Sequence, residues 1–535
     1  MHITTPAALT PLHNPVFRGL WMAWLAANLT MWMNDVAAAW LMTSLTSNPV
    51  MVALVQTAST LPVFLLGLPC GALADILDRR RYFAITQLWV SINALVLAAL
   101  SLSGHLTAEW LLILTFSNGI GLAMRWPVFA AIVPEVVSRA DLPAALALNG
   151  IAMNLSRVVG PVLAGALLAA INPAAVFVLN AVLALVAFAL ILRWQRPPTV
   201  SALPGERFVG AMRAGVNFAR QSPRLRVVLL RVFLFFLQSM GLMSLLPLVA
   251  RGLHGGGAGT FTVMLSCVGG GAILAALYFP RWRALYSRDQ FVRLGTFSHA
   301  VLSSIVVAVP ELWVALPAMF LMGMAWISVA NSLAVAAQLA MPDWVRARGM
   351  AIFQVALMGG AAAGSVLWGQ TASWLDVRSA VLLAALFGLC ALLLTRHLTV
   401  EGEADPDFTP ASTLLVPTPA VGVSAQDGPV MVTLQYQIDP ARSAEFAKVM
   451  QRTRQARLRQ GALSWGLFRD VSMPGRYIEY FVDENWLEHQ RRMARFTAFD
   501  AELRDERLAF HIGDGPPELR RYVADEQAPR GGGQL

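Results

Sequence analysis

The stretch GALADILDRRR, residues 71–81, lies between two long apolar runs and carries an acid followed by three consecutive arginines. Loops rich in arginine stay on the cytoplasmic side when the flanking apolar segments insert into a bilayer. The stretch therefore predicts a membrane protein and the side on which this loop lies. Asp75 precedes Arg79, Arg80 and Arg81, so a carboxylate and several guanidinium groups meet at one helix-to-helix turn.

The composition excludes an ordinary soluble protein. Of the 535 residues, 57% are hydrophobic and 13% are charged, and the mean hydropathy is +0.59. A soluble domain of this length needs more polar surface, whereas apolar runs of about 18 residues or more cross a bilayer as helices. Twelve spans are predicted, near residues 17–45, 50–73, 82–103, 109–135, 144–170, 173–193, 226–250, 259–279, 291–310, 312–340, 347–371 and 378–397.

A polar, arginine-rich break divides the spans into two sets of six. We predict an N-terminal bundle at 1–193, a linker at 194–225 and a C-terminal bundle at 226–398, which together form an all-α membrane domain. Four apolar residues of the linker fall on one helical stripe: Phe208, Met212, Val216 and Ala219. The stripe suits a helix on the inner membrane face, and an ordinary solvated linker explains it equally well.

The arginines are distributed unevenly between the loops. With a cytoplasmic N-terminus, the even-numbered loops hold nearly all of them, and the opposite side keeps Arg251 and Arg378. This pattern predicts a multi-pass protein of the bacterial inner membrane whose N-terminus and C-terminal domain are cytoplasmic. The net charge of +9 then belongs to the face against the inner leaflet, and we expect no nucleic-acid partner.

The two halves resemble each other in their fifth spans, where GPVLAG at 160–165 matches GSVLWG at 364–369. Internal similarity between two sets of six spans predicts a transporter built from related bundles around a site near the bilayer midplane. Small residues at these positions let helices approach closely, and a proline loosens one of them. The predicted packing residues are Gly160, Pro161, Gly165, Gly364 and Gly369.

Charged residues inside spans need a partner or a use, because they are costly in lipid. Asp35 is the acid that lies well inside a predicted span, and Arg125 and Arg157 are in spans 4 and 5. We predict that Asp35 binds and releases a proton, with Arg125 or Arg157 tuning it, since burial favours the neutral acid and a nearby guanidinium favours the carboxylate. The alternatives are a static ion pair and a solvated acid near the span's end.

The next prediction concerns the translocation cavity and what it binds. The polar and aromatic candidates for its lining are Asn34, Trp126, Asn154 and Gln238. Tryptophan and methionine are frequent in the spans, but interfacial belts and bundle packing explain most of them. The identity of the substrate does not follow from these residues.

The composition changes abruptly after Arg396. We predict a linker at 399–428, a soluble domain at 429–526 and a disordered tail at 527–535. Within the soluble domain, alternating apolar residues predict strands, and amphipathic stretches predict helices. The order is strand 430–438, helix 444–460, strands 462–471 and 476–484, a helical stretch at 485–507 and strand 519–525. This βαββαβ order predicts a small α+β, ferredoxin-like fold.

The loop at 71–81 resembles the signature loop of the major facilitator superfamily, roughly G-x-L-A-D-[RK]-x-G-[RK]-[RK]. The matching positions are Gly71, Leu73, Ala74, Asp75, Arg79 and Arg80. Ile76 and Asp78 depart from the pattern. The resemblance implies a conformational latch formed by Gly71, Asp75, Arg79 and Arg80, and a simple positive-inside anchor is the alternative.

Longer segments resemble the transmembrane secretion effector group, which includes the enterobactin exporter. They are NPVFRGLW, WMNDVAAAW, VPEVV, ALALNG and the soluble tail. GPVLAG is similar to an element associated with exporters of the superfamily. The tail resembles antibiotic-biosynthesis-monooxygenase-type domains, which implies sheet-to-sheet dimers. Trp486 and His489 lie where such domains often carry functional residues, but no second catalytic cluster accompanies them, so we expect no enzyme.

Together these features predict a proton-coupled exporter of a small amphipathic molecule, such as a siderophore or a drug, that works by alternating access. Uptake by the same fold, a transporter-like sensor and a fusion with a catalytic tail are the alternatives. No nucleotide-binding P-loop is present in the sequence. We expect protons, a small-molecule substrate and the lipid bilayer as partners, a homodimer through the tail as a further option, and no metal or cofactor.

Overall fold

The computed structural model describes residues 7–137, 141–194, 208–253, 256–283, 285–401, 409, 411 and 419–524. The chain divides into two compact units. The first comprises Met1–Ala202, Val228–Val335 and Phe353–Val400. The second comprises Leu203–Val227, Ala336–Ile352 and Glu401–Leu535.

Helices make up the described part of the chain before residue 400. After a short 3₁₀ turn at Ala7–His13, they are α1 Pro15–Leu45, α2 Pro49–Ile76, α3 Arg79–Leu102, α4 Ala108–Val136, α5 Leu142–Ala170, α6 Pro173–Arg193, α7 Phe208–Gln221, α8 Pro223–Met243, α9 Leu246–Gly252, α10 Ala258–Arg283, α11 Arg288–Ala308, α12 Leu312–Leu339, α13 Asp343–Trp374 and α14 Val377–Leu394.

Capping side chains set several helix starts. Asn14 and Asn48 accept hydrogen bonds from the first turns of α1 and α2, each with a proline directly after the cap. Asp78 does the same for α3, through the backbone N–H of Arg81 at 2.9 Å. Such caps satisfy backbone donors that the helix itself leaves unpaired. Asp78, a departure from the superfamily pattern, therefore starts a helix.

Ten helices of the described chain are long and apolar enough to cross a membrane. α1 and α4, with 31 and 29 residues, are equally long but are not among those ten. A multi-pass architecture is confirmed, and the count of twelve spans stays a prediction. The predicted span at 226–250 differs in detail, because a turn at Ser244 and Leu245 separates α8 from α9.

Within the first unit, α3 packs on α6, α2 on α4, and α1 on both α5 and α6. These helices belong to the N-terminal half of the membrane domain, the predicted bundle at 1–193. In its C-terminal half, the predicted bundle at 226–398, α11 packs on α14. α5 of the N-terminal half packs on α10 of the C-terminal half. One hydrophobic core cluster draws on both halves. Its large, fully buried members include Met33, Phe177, Leu246, Met264 and Met319.

The second unit contains one four-stranded sheet. Its elements after residue 429 are β1 Val430–Gln437, α15 Ser443–Arg459, β2 Ser464–Arg469, β3 Arg476–Asp483, α16 Trp486–Ala494, α17 Ala498–Leu508 and β4 Glu518–Val523. The strand order is β2-β3-β1-β4, and every pair is antiparallel. The ferredoxin-like assignment and the domain boundaries stay predictions, and residues 527–535 lie outside the described chain.

One face of this sheet forms the core of the C-terminal domain. Alternate residues of β1, from Val430 to Tyr436, are buried, as period-two alternation requires. Tyr436 packs edge-on against Phe446 of α15, with ring centroids 5.5 Å apart. The predicted helical stretch at 485–507 is two helices, because Thr497 and Asp500 form a capping box that starts α17.

Candidate translocation site and coupling residues

Asp35 lies in α1 with its side chain partly buried. The hydroxyl of Ser59, from α2, donates a hydrogen bond to its carboxylate with an oxygen–oxygen distance of 3.1 Å. Arg125 of α4 is near enough to interact electrostatically with Asp35. Among the described residues, however, no ion pair within 4.0 Å joins the two side chains. The acid is therefore held by a neutral donor.

Arg125 is 3% exposed, and its guanidinium contacts residues of α1 other than Asp35. It donates to the backbone carbonyl of Ala27 at 2.5 Å and contacts the sulfur of Met31 at 3.6 Å. Its guanidinium carbon lies 5.5 Å from the ring centroid of Trp24, in cation–π range. Within the described part of the chain, these contacts anchor α4 to α1 and leave the Asp35 carboxylate without a directly bonded cation.

Arg157 of α5 also contacts α1, through an aromatic ring of that helix. Its guanidinium carbon lies 5.5 Å from the ring centroid of Trp32. A Cβ placed on Gly160, one turn later, would lie 2.6 Å from the Cβ of Trp32. The absence of a side chain at Gly160 therefore lets α5 approach α1 closely. The structure places Arg125 and Arg157 against α1, the helix that carries Asp35.

The structure describes the side chains of two of the four candidates for the cavity lining. Asn34 and Gln238 are buried, at 4% and 2% exposure. The backbones of Trp126 and Asn154 belong to α4 and α5, and their side chains lie outside the described residues. Of the two buried amides, Asn34 is in the predicted N-terminal bundle and Gln238 is in the predicted C-terminal bundle.

Gln238 belongs to a cluster in the predicted C-terminal bundle. Its side-chain nitrogen is 3.4 Å from Nδ1 of His299, and both residues are almost completely buried. Phe235 and Trp326 pack around the imidazole, with ring centroids 5.6 and 5.8 Å away. A cavity of about 20 Å³, large enough for one water molecule, opens beside Gln238 and Gly388.

The latch residues are only partly described. Gly71 and Asp75 lie in the last turns of α2, and their side chains are outside the described residues. Arg79 starts α3, and the guanidinium of Arg80 donates to the backbone carbonyl of Leu192 near the end of α6. The arginine run therefore ties the start of α3 to α6, and the role of Asp75 stays a prediction.

The packing residues occupy helix crossings. A side chain on Gly165 would collide with Thr262 of α10, and one on Gly364 would collide with the carbonyl of Leu237 in α8. A Cβ on Gly369 would lie 2.5 Å from the Cβ of Ala53 in α2. Gly165 and Gly369 are thus at the same offset of the repeated motif, and each contacts a helix of the opposite half. Pro161 is buried in α5.

One contact between the halves was not predicted. Arg251 of α9 donates to the backbone carbonyl of Thr43 in α1 at 2.6 Å, and its guanidinium carbon lies 4.8 Å from the ring centroid of Trp40. The available sequence signal was the position of Arg251, one of two arginines in the loops that otherwise lack them. Ser59 gave no signal, because single hydroxyls are common in such helices.

In the C-terminal domain, Trp486 and His489 are both buried, at 5% and 1% exposure. Nδ1 of His489 is 2.7 Å from the Asp483 carboxylate, and Arg521 donates to Nε2 at 3.2 Å. Burial lowers the pKa of His489, and Arg492 and Arg521 add to this effect against the hydrogen bond with Asp483. The imidazole is therefore neutral, and its Nδ1–H donates to Asp483.

Comparison with known families assigns nearly the whole chain. The family model described as transmembrane secretion effector matches residues 6–529. The chain belongs to that family. The match includes the helical part and the C-terminal domain, so the two form one family architecture.

Relatives of known description match part of the chain. A staphyloferrin A transporter of Staphylococcus aureus (strain NCTC 8325 / PS 47) is 24% identical over 254 residues, which is 47% of this chain and 63% of the relative. Macrolide efflux protein A of Streptococcus pyogenes is 23% identical over 243 residues, 45% of this chain and 60% of the relative. The chain thus spans about three fifths of the length of each.

Solved structures show the fold. A point mutant of the nucleoside transporter NupG superposes with a TM-score of 0.62 at 12% identity, covering 71% of this chain and 99% of that one. An inward-facing, occupied bacterial homologue of the human lysosomal transporter Spinster gives 0.58 at 15% identity, covering 74% and 99%. This family member therefore has the major facilitator transporter fold.

Proposed function

We propose that this protein is a proton-coupled exporter of a small amphipathic molecule and that it works by alternating access in a bacterial inner membrane. The family description and the staphyloferrin A and macrolide relatives support export of a siderophore or a drug. The arginine distribution supports a cytoplasmic N-terminus and C-terminal domain. Uptake is the second candidate for the direction of transport.

One observation carries the coupling proposal. Asp35 is held by the Ser59 hydroxyl at 3.1 Å, and Arg125 directs its hydrogen bonds to α1. A directly paired carboxylate would stay charged, whereas one held by a neutral donor exchanges a proton at lower cost. We propose that Asp35 is the proton site, that Arg125 tunes its charge, and that Arg157 positions α5 against α1.

The other candidates keep the roles that the sequence predicts for them. Asn34, Trp126, Asn154 and Gln238 are proposed to line the substrate path. Gly160, Pro161, Gly165, Gly364 and Gly369 are proposed to be the crossings at which the bundles rock. Gly71, Asp75, Arg79 and Arg80 are proposed to form the cytoplasmic latch. We propose that Trp486 and His489 are structural residues of a domain without catalytic activity, and that the domain also mediates homodimerisation.

Inverted membrane vesicles test the proposal, with staphyloferrin A and the macrolide erythromycin as probes. Export predicts uptake into inverted vesicles that an uncoupler abolishes. Asp35→Asn should remove the pH dependence of this flux, because an amide at this position cannot bind and release a proton. Asp35→Glu, which keeps a carboxylate at the same position, is the matched control and should retain the pH dependence. Unaltered pH dependence in Asp35→Asn would exclude Asp35 as the proton site.

A further inference from the structure

The second unit contains an unexpected arrangement around α7. Phe218 of this helix is 1% exposed, and its ring packs edge-on against Trp344 in the first turn of α13, with centroids 6.0 Å apart. Gly215 faces the same helix, since a Cβ there would lie 3.0 Å from Cβ of Arg348 and 3.8 Å from Ile352. The amphipathic helix between the predicted bundles is thus seated on the start of α13.

Two arginines of the C-terminal domain lie on these aromatic rings. The guanidinium carbon of Arg459, at the end of α15, is 5.8 Å from the ring centroid of Phe218. That of Arg495, after α16, is 4.8 Å from the ring centroid of Trp344. Both distances are within the range of cation–π attraction. A third contact is the ion pair between Arg213 of α7 and Glu484, at 3.2 Å.

The domain's own side chains fix the direction of both arginines. Arg459 pairs with Asp500 at 3.1 Å. Arg495 pairs with Glu488 at 3.2 Å and donates to the carbonyl of Gln460 at 3.1 Å. A guanidinium that is already oriented loses less conformational freedom when it meets a ring. The domain therefore presents a preformed surface to Phe218 and Trp344.

We propose that the C-terminal domain is a reversible clamp that fastens the connector helix α7 to the start of α13. α7 belongs to the covalent connection between the two bundles, and α13 continues without a break from Asp343 to Trp374. A domain bound to both α7 and the start of α13 restrains α7, so a shorter stretch of the linker at 194–225 can move freely between the bundles. The exposed part of this contact is suited to release: the side chains of Arg213 and Glu484 are 46% and 37% exposed, and such ion pairs are weak and screened by salt.

Amide hydrogen exchange of the full-length protein in detergent tests the clamp without any substrate, so its outcome is independent of the export proposal. Trp344→Ala should raise exchange in the α7 segment 213–221 by about fivefold, the scale of a lost cation–π contact together with its ring packing. Trp374→Ala is the matched control: this tryptophan ends the same helix and is 75% exposed. It should leave α7 unchanged. Unchanged α7 exchange in Trp344→Ala would overturn the proposal.

Charge reversal provides a second test, which does not depend on removing a ring. Arg213→Glu and Glu484→Arg should each raise exchange in 213–221 by about two- to fivefold, the size of an exposed ion pair, and the double reversal should restore it. Arg452→Glu is the control, because it breaks the exposed pair with Glu506 inside the domain. High salt should reproduce the single variants. Failure of the double reversal to restore protection would contradict the clamp.

Discussion

At the scale of single residues, the buried histidine of the C-terminal domain makes stability depend on pH. His489 donates to Asp483 and accepts from Arg521. Burial lowers the pKa of His489 below its value in the unfolded chain. Burial alone would raise the pKa of Asp483, but Arg492 and His489 outweigh it and lower that pKa. Both shifts make the unfolded chain bind more protons as the pH falls, so both destabilise the domain in acid.

The two residues act in different pH windows. Because the folded pKa of His489 is depressed, its loss of stability begins as the pH falls through about 6.5, whereas that of Asp483 begins below about 4. We expect amide protection of β3 in the full-length protein to fall between about pH 7 and about pH 5. His489→Gln should flatten this slope, and His397→Gln, at an exposed position, should not. An unchanged slope in His489→Gln would rule out the histidine as its source.

Single residues also show where sequence reasoning succeeds. Asp35 is recognisable without a structure because a lone acid in an apolar run is expensive in lipid. Its partner Ser59 is not, because a serine hydroxyl can bond to its own helix, and the pairing depends on how α1 and α2 pack. The sequence predicts Arg125 or Arg157 as the tuning cation for Asp35, and that role stays a prediction. The structure adds that the hydrogen bonds of Arg125 go to Ala27 and Met31.

At the scale of helices, hydrophobicity locates elements better than their ends. Most predicted spans correspond to helices because apolar runs of this length have one stable conformation in lipid. The break between α8 and α9 and that between α16 and α17 were missed. At the latter, Thr497 supplies a cap whose hydrogen bonds compete with continuation of the preceding helix. Such local competition is hardly visible in a hydrophobic pattern.

The repeated glycines lead to a prediction about helix crossings. Gly165→Ala should destabilise the protein by about 1–3 kcal/mol, because the new methyl group collides with Thr262 of α10. Gly150→Ala in the same helix is the control, since a Cβ there meets open space. It should be neutral or stabilising by up to about 1 kcal/mol, as alanine favours helices. Thermal unfolding in detergent measures both, and equal melting temperatures would refute a close crossing at Gly165.

At the scale of the whole membrane domain, several contacts join the two halves. Gly165 with Thr262 and Gly369 with Ala53 join opposite halves at equivalent motif positions. Arg251 adds a polar contact to α1 through Thr43 and Trp40. The two glycine contacts are related by the internal repeat, as expected for two bundles that pivot about each other. The polar contact of Arg251 is the kind that can break and re-form during such a motion.

Removing the Arg251 contact should therefore shift the equilibrium between conformations. Arg251→Ala loses a hydrogen bond to Thr43 and a cation–π contact with Trp40, which together are worth about 1–3 kcal/mol. That is about a five- to 150-fold change in favour of states in which α1 and α9 separate. Distances between spin labels on the turn after α1 and the turn after α9 measure the change. Arg378→Ala, which removes the other arginine of that side, is the control and should leave the distances unaltered. An identical distance distribution in Arg251→Ala would show that this contact does not hold the halves together.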